Sequence, residues 1–159
     1  MQNLFLMGCK NYGFLKFYAV FHAMKKVFAI LGVIFTVIVV IVAAIFIKLD
    51  REATAFIQDV VPKIATNWSS QELVDRATPE LKKKVAKARD KFDGIFLMFR
   101  RLGSFKHLDK PKGMLGNYTT VGDFEKGKAT IKIQLRRVND IWKINRFEID
   151  SDVFIPSKA

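Results

Sequence analysis

The sequence predicts an α+β domain held behind one membrane-spanning helix. Two observations predict it. Residues 27–47 form an apolar run broken only by Gly32 and Thr36. Beyond that run, apolar residues recur at spacings of three and four as far as Leu102, and from Ser104 the period falls to two. Helices followed by consecutive short strands indicate helices packed on a curved, four-stranded antiparallel sheet.

The apolar run has 21 residues, 16 of them Val, Ile, Leu or Phe. As a helix it is roughly 31 Å long at about 1.5 Å per residue, close to the ~30 Å hydrocarbon core of a bilayer. Each such side chain favours insertion by roughly 0.3–0.6 kcal/mol, and no charge opposes them. A soluble protein would have to surround the run with core, and the 112 residues after it are too few and too polar for that. The chain therefore divides into an N-terminal segment (1–26), a transmembrane helix (27–47) and a domain (48–159) large enough for one core.

Charge sets the expected orientation. Residues 1–26 carry Lys10, Lys16, Lys25 and Lys26 and no acid; the domain holds the other 23 Lys and Arg together with all 15 Asp and Glu. The excess of Lys before the span places the N-terminus in the cytoplasm and the domain across the membrane, since acids count little in this rule. A cleaved signal peptide has a shorter apolar region followed by small residues, whereas this run is longer and ends Ile45-Phe46-Ile47-Lys48. The expectation is an uncleaved anchor. Met24-Lys25-Lys26 before an apolar run looks like the start of an anchored bacterial protein, so translation from Met24 is one reading of residues 1–23. The other is an interfacial helix, for which Phe5, Phe14, Phe17, Tyr18 and Phe21 interleaved with Lys are suited. The single cysteine, Cys9, excludes an internal disulfide. Leu6-Met7-Gly8-Cys9 lacks the basic start and long apolar run of a lipid-attachment box.

Within the domain, Leu49, Ala53, Phe56, Val60 and Ile64 form one stripe of an amphipathic helix continuous with the span. Pro62 predicts a kink or stop near Val61. Ser69 with Glu72 has the capping-box spacing of a short helix through Ala77. Thr78-Pro79 starts a long helix to Leu102, with Leu81, Val85, Ala88, Phe92, Ile95, Phe96, Phe99 and Leu102 marking its buried side, Gly94 placed to loosen its middle and Gly103 as its stop. Candidate strands are 104–109, 117–125, 129–138 and 142–150, separated by turns at 110–113, 126–128 and 138–140. In the fourth, Trp142 and Ile144 share one parity and Phe147 and Ile149 the other, which predicts a bulge near Asn145–Arg146.

A helical half ending Phe99-Arg100-Arg101-Leu102-Gly103-Ser104-Phe105, then strands closing on Trp142-Lys143-Ile144-Asn145-Arg146-Phe147-Glu148-Ile149, resembles small envelope domains of the nuclear-transport-factor-2-like (cystatin-like) superfamily over about residues 50–155. The resemblance implies a half-open cone whose sheet encloses a pocket. Some members are enzymes, many are ligand-binding or scaffolding modules, and several sit behind one membrane anchor in bacterial secretion machinery.

No motif identifies a reaction. There is no phosphate loop, nucleophile elbow, paired-Cys site or transition-metal spacing, and no cofactor or metal is expected. No residue is singled out as catalytic. His22 precedes the span and is separated from the domain. His107 sits in the first strand and shares a face with Phe105; if that face lines the cone, a base there would have Asp109, Asp123 or Asp150 nearby. Arg146, at the suspected bulge, is a candidate for an anionic ligand, and Tyr118, Trp142 and Phe124 are candidate pocket walls. Against each stands the plainer reading of sheet core or exposed edge. Lys82, Lys83, Lys84, Lys87, Arg89 and Lys91 make a basic helix surface suited to anionic lipid or polymer. Aromatic residues do not interleave with it as in single-strand binders, so nucleic acid is not the expected partner. Asn67-Trp68-Ser69 and Asn117-Tyr118-Thr119 match the glycosylation pattern, relevant only in a eukaryotic secretory pathway. The expected role is a binding or scaffolding module for another envelope component. The alternative is a small-ligand carrier or enzyme using the cone.

Overall fold

A computed structural model describes the backbone of residues 11–154 and the side chains of Phe28 and residues 30–154. The readings made for residues 1–26, including the Cys9 box, the Met24 start and the interfacial helix, rest on side chains outside the described ones. The chain forms two compact units, 1–46 and 47–159.

In the first unit the chain is helical from Asn11, within α1 (Asn11–Asn67). Among the described residues every large apolar side chain of the run is exposed, from 44% at Val42 to 69% at Phe28 and Phe35. The most apolar window has a mean hydropathy of 3.3, long and apolar enough to cross a membrane. Its one hydroxyl is satisfied inside the helix, because Thr36 donates to the Gly32 carbonyl at 2.9 Å. Such internal pairing suits a segment without water partners.

The second unit begins with the remainder of α1, whose buried stripe is Ala53, Ile57, Val60, Val61, Ile64, Ala65 and Trp68. The stop expected at Pro62 does not occur, and α1 continues to Asn67. The proline removes the partner of the Gln58 carbonyl, but Gln58 is exposed to water, while Ile64 and Ala65 beyond it are buried. Continued burial outweighs the lost bond. Trp68 ends the helix at φ +43° and turns its ring into the core, stacked 5.5 Å from Phe124 and tilted against Phe99.

Both expected caps form: Ser69 accepts from the Glu72 amide to start α2 (Ser70–Asp75), and Thr78 from the Leu81 amide to start α3 (Pro79–Lys87). The long helix expected after Thr78 is two. It breaks at Ala88 (φ −133°), and α4 runs Arg89–Phe99, followed by a 3-10 turn through Leu102. Alanine carries no side-chain acceptor, so the new start has no capping signal. Gly94, expected to loosen the middle, lies inside α4 without breaking it.

The sheet is antiparallel, with strands β1 (Phe105–Leu108), β2 (Lys112–Met114), β3 (Asn117–Phe124), β4 (Gly127–Val138) and β5 (Ile141–Asp150) in the order β1-β3-β4-β5. It has five strands where four were expected, because residues 112–114 pair with β3 on the same edge as β1. The Asp109 amide donates to the Val121 carbonyl, and the Thr120 hydroxyl donates to the Asp109 carbonyl at 2.7 Å, so the chain stays bound across the bend. The predicted bulge is present: Gln134 pairs with Arg146 and Leu135 with Ile144, leaving Asn145 as the extra residue. The helix-facing side of the sheet is filled by Phe124, Ile131, Ile133, Leu135 and Ile144 against Ile57, Ile64, Leu73, Phe96, Phe99 and Leu102.

Candidate functional site

The four candidate pocket residues fall in different places. Tyr118 is 4% exposed and lies on the helix side, where its hydroxyl donates to Asp50 Oδ1 at 2.7 Å. Burial, reinforced by the Asp50 acceptor and its negative charge, holds the phenol well above its ordinary range. It stays protonated and joins the sheet to the start of the domain. Trp142 is half-buried, with the Arg137 guanidinium 5.8 Å from its ring centroid; Arg137 also approaches Glu52 at 3.9 Å. His107 does not share a face with Phe105. The pairing slips between them, Phe105 opposing Phe124 and His107 opposing Asp123, so His107 turns outward beside Asp109 at 3.7 Å. Arg146 is exposed on the outer face, where its Nε donates to Glu148 Oε1 at 2.6 Å.

The outer face itself carries a shallow groove of about 380 Å³ across β2, β3, β4 and β5. Two cross-strand rows build it. Lys112 opposes Thr119, Thr119 opposes Lys132, and Lys132 opposes Glu148; two residues along each strand, Met114, Asn117, Gln134 and Arg146 line up likewise. The second row is tied together by side-chain amides: Gln134 donates to Asn117 at 3.2 Å, and Asn145 donates to Gln134 at 2.9 Å. Thr78, fully buried, donates to Asn145 at 3.2 Å and connects the row to the start of α3. Lys112, Lys132 and Arg146 outnumber Glu148, so the groove favours an anionic or acidic occupant. Of the four candidates, Arg146 lines it, Tyr118 borders it although its side chain lies on the helix side, and His107 and Trp142 do neither. The alternation of β4 was visible in the sequence, but the register that sets Lys132 beside Lys112 and Glu148 was not.

All six basic helix residues, Lys82, Lys83, Lys84, Lys87, Arg89 and Lys91, are exposed. The break at Ala88 leaves four on α3 and two on α4. The four on α3 spread over roughly 200° of helix circumference at about 100° per residue, which is a solvated surface around buried Val85. Arg89 approaches Asp93 at 3.7 Å. Nearby, Glu80 is held below the usual carboxylate range, chiefly by its own backbone amide and then by Thr78 and the charges of Arg136 and Lys83. Among the described residues no group of three or more His, Cys, Asp or Glu is placed to hold a metal ion. Comparison with family models, curated proteins and solved structures finds no match to this chain.

Proposed function

We propose that the chain is a single-pass protein of a bacterial inner membrane, with its N-terminus in the cytoplasm and its α+β domain outside it, serving as a binding or scaffolding module for another envelope component. The likeness to nuclear-transport-factor-2-like domains belongs to this proposal. One observation carries it: polar, basic side chains are ordered in rows on the outer sheet face, while the inner face is packed with apolar side chains. That contrast favours an occupant on the outside of the sheet. The small-ligand or enzyme reading requires a polar, open pocket on the inner face, where Phe96, Phe99, Leu102 and Phe124 already fill the space.

The test compares two charge reversals in the detergent-solubilised full chain. Lys112→Glu, Lys132→Glu and Arg146→Glu together should reduce retention on immobilised polyglutamate, and co-purification of envelope proteins, by several-fold at low salt. Lys82→Glu, Lys83→Glu and Lys84→Glu together should change both much less. The opposite ranking would move the binding surface to α3 and overturn the proposal.

A further inference from the structure

The β2–β3 turn carries a leucine where the backbone and the solvent both disfavour one. In the neighbouring β4–β5 turn, Asn139 and Asp140 have φ +50° and +60°, and their short polar side chains tolerate this left-handed region. Between β2 and β3, Leu115 and Gly116 have φ +52° and +85°. Glycine suits its position: an added Cβ would lie 2.5 Å from the Leu135 carbonyl oxygen. Leucine does not suit its own, because its Cβ crowds the backbone, and it is 72% exposed beside Met114 at 69%. Neither backbone preference nor solvation accounts for this apolar pair. A local rule broken without gain inside the fold points to a contact outside it.

The strand register places that contact beside the basic groove. Met114 heads the row that continues through Asn117, Gln134 and Arg146, so it stands on the outer face, and Leu115 follows it into the turn. In the other row Thr119 lies between Lys112 and Lys132, all three of them exposed. Among the described residues neither lysine is in an ion pair, whereas Arg146 is already held by Glu148 at 2.6 Å. A carboxylate above the Thr119 hydroxyl would therefore meet two ammonium groups that lack an acidic partner. From Thr119 to Met114 is one strand across and two residues along, roughly 8 Å at about 4.8 Å per strand and 3.4 Å per residue. Two positions of an extended peptide span roughly 7 Å and point their side chains the same way. An acidic and an apolar side chain two positions apart thus reach both places at once. A small inorganic anion would leave Met114 and Leu115 in water. Nucleic-acid bases would seek aromatic rings to stack on, which these two side chains do not offer, whereas a flexible Met adapts readily to a peptide side chain.

We propose that the outer face takes an acidic peptide segment of a partner protein, with a carboxylate between Lys112 and Lys132 and a large apolar side chain, two positions away, packed on Met114 and Leu115. This rests on the groove reading above and names its occupant, and the experiment separates the two. The detergent-solubilised full chain is applied to an array of immobilised hexapeptides in a Gly–Ser background, each with two Glu, and with one Leu at varied spacing or none. The Glu-only peptides should retain the chain, and a Leu two positions from a Glu should raise retention at least fivefold, more than at any other spacing. Leu115→Asn, a residue favoured at positive φ, should remove most of that gain while the Glu-only signal stays unchanged and the thermal midpoint stays equal or rises. Lys112→Gln with Lys132→Gln should lower both signals several-fold. No gain from Leu, or the same gain at every spacing, overturns the apolar contact and leaves the basic groove standing. No retention on any peptide overturns both. A gain that survives Leu115→Asn combined with Met114→Thr moves the contact elsewhere and overturns the proposal. A lower midpoint in Leu115→Asn would show that the leucine is held inside the fold, and self-association abolished by Leu115→Asn would put a second copy on the tip; either overturns it.

Discussion

Residues 28–47 and residues 53–67 belong to the same helix and draw on the same small set of Ile, Val, Ala and Phe side chains, yet they are solvated in opposite ways. In the first stretch the apolar residues go all round the helix, and the large ones are 44–69% exposed. In the second, Ala53, Ile57, Val60, Val61, Ile64 and Ala65 form a stripe at most 2% exposed, while Arg51, Gln58, Asp59 and Lys63 face water nearby. A helix with an apolar stripe has found its partner within the chain; one that is apolar all round needs a solvent the chain does not provide. The difference shows that period, more than hydrophobicity, tells which part of a long helix has its partner within the chain.

The sharpest way to break the comparison is to damage the second stretch alone. Trp68→Ala removes a ring packed between Phe99 and Phe124 and should cost about 3–5 kcal/mol of domain stability. Chemical unfolding of the full chain should show this loss, with the membrane-bound fraction unchanged. If membrane association fell together with domain stability, the two stretches would not be independent.

A smaller effect sharpens the junction between them. Because burial and Asp50 raise the Tyr118 pKa above its unfolded value of about 10, the protonated phenol stabilises the folded form. That contribution is fully present below about pH 10 and is lost as pH rises from there through the folded-state pKa. Tyr118→Phe should cost about 0.5–1.5 kcal/mol at neutral pH. It should also flatten the fall of the thermal midpoint above pH 10, measured against the parent chain. An unchanged alkaline profile would mean that the Tyr118–Asp50 bond contributes nothing to holding the sheet on α1.

Much of this architecture was legible in the sequence because it is written in local patterns. The apolar run declares itself by length, Ser69 and Thr78 by their caps, and β4 by its alternation. The Asn145 bulge is declared by the parity slip between Ile144 and Phe147. What was not legible depends on partners distant in sequence or on missing signals. Ala88 breaks a helix without a capping side chain. Lys112-Gly113-Met114 is too short and too exposed to show a period, so β2 escaped notice. Pro62 suggested a stop that buried neighbours override. The slip between Phe105 and His107 reverses the face of His107 and has no signature in four strand residues. The outer groove was illegible for the same reason: Lys112, Lys132 and Arg146 become neighbours only through the pairing of four strands. Likewise, Leu115 looks ordinary until its backbone angle is known.

The account depends most on the apolar run crossing lipid and delivering the domain to the far side. Fusing after Ala159 either a phosphatase active only outside the cytoplasm or a fluorescent protein that matures only within it tests this directly. The account predicts an active phosphatase, a dark fluorescent fusion, and both products retained in the membrane pellet after carbonate washing. A bright fluorescent fusion with an inactive phosphatase would reverse the topology, and release into the carbonate supernatant would remove the anchor.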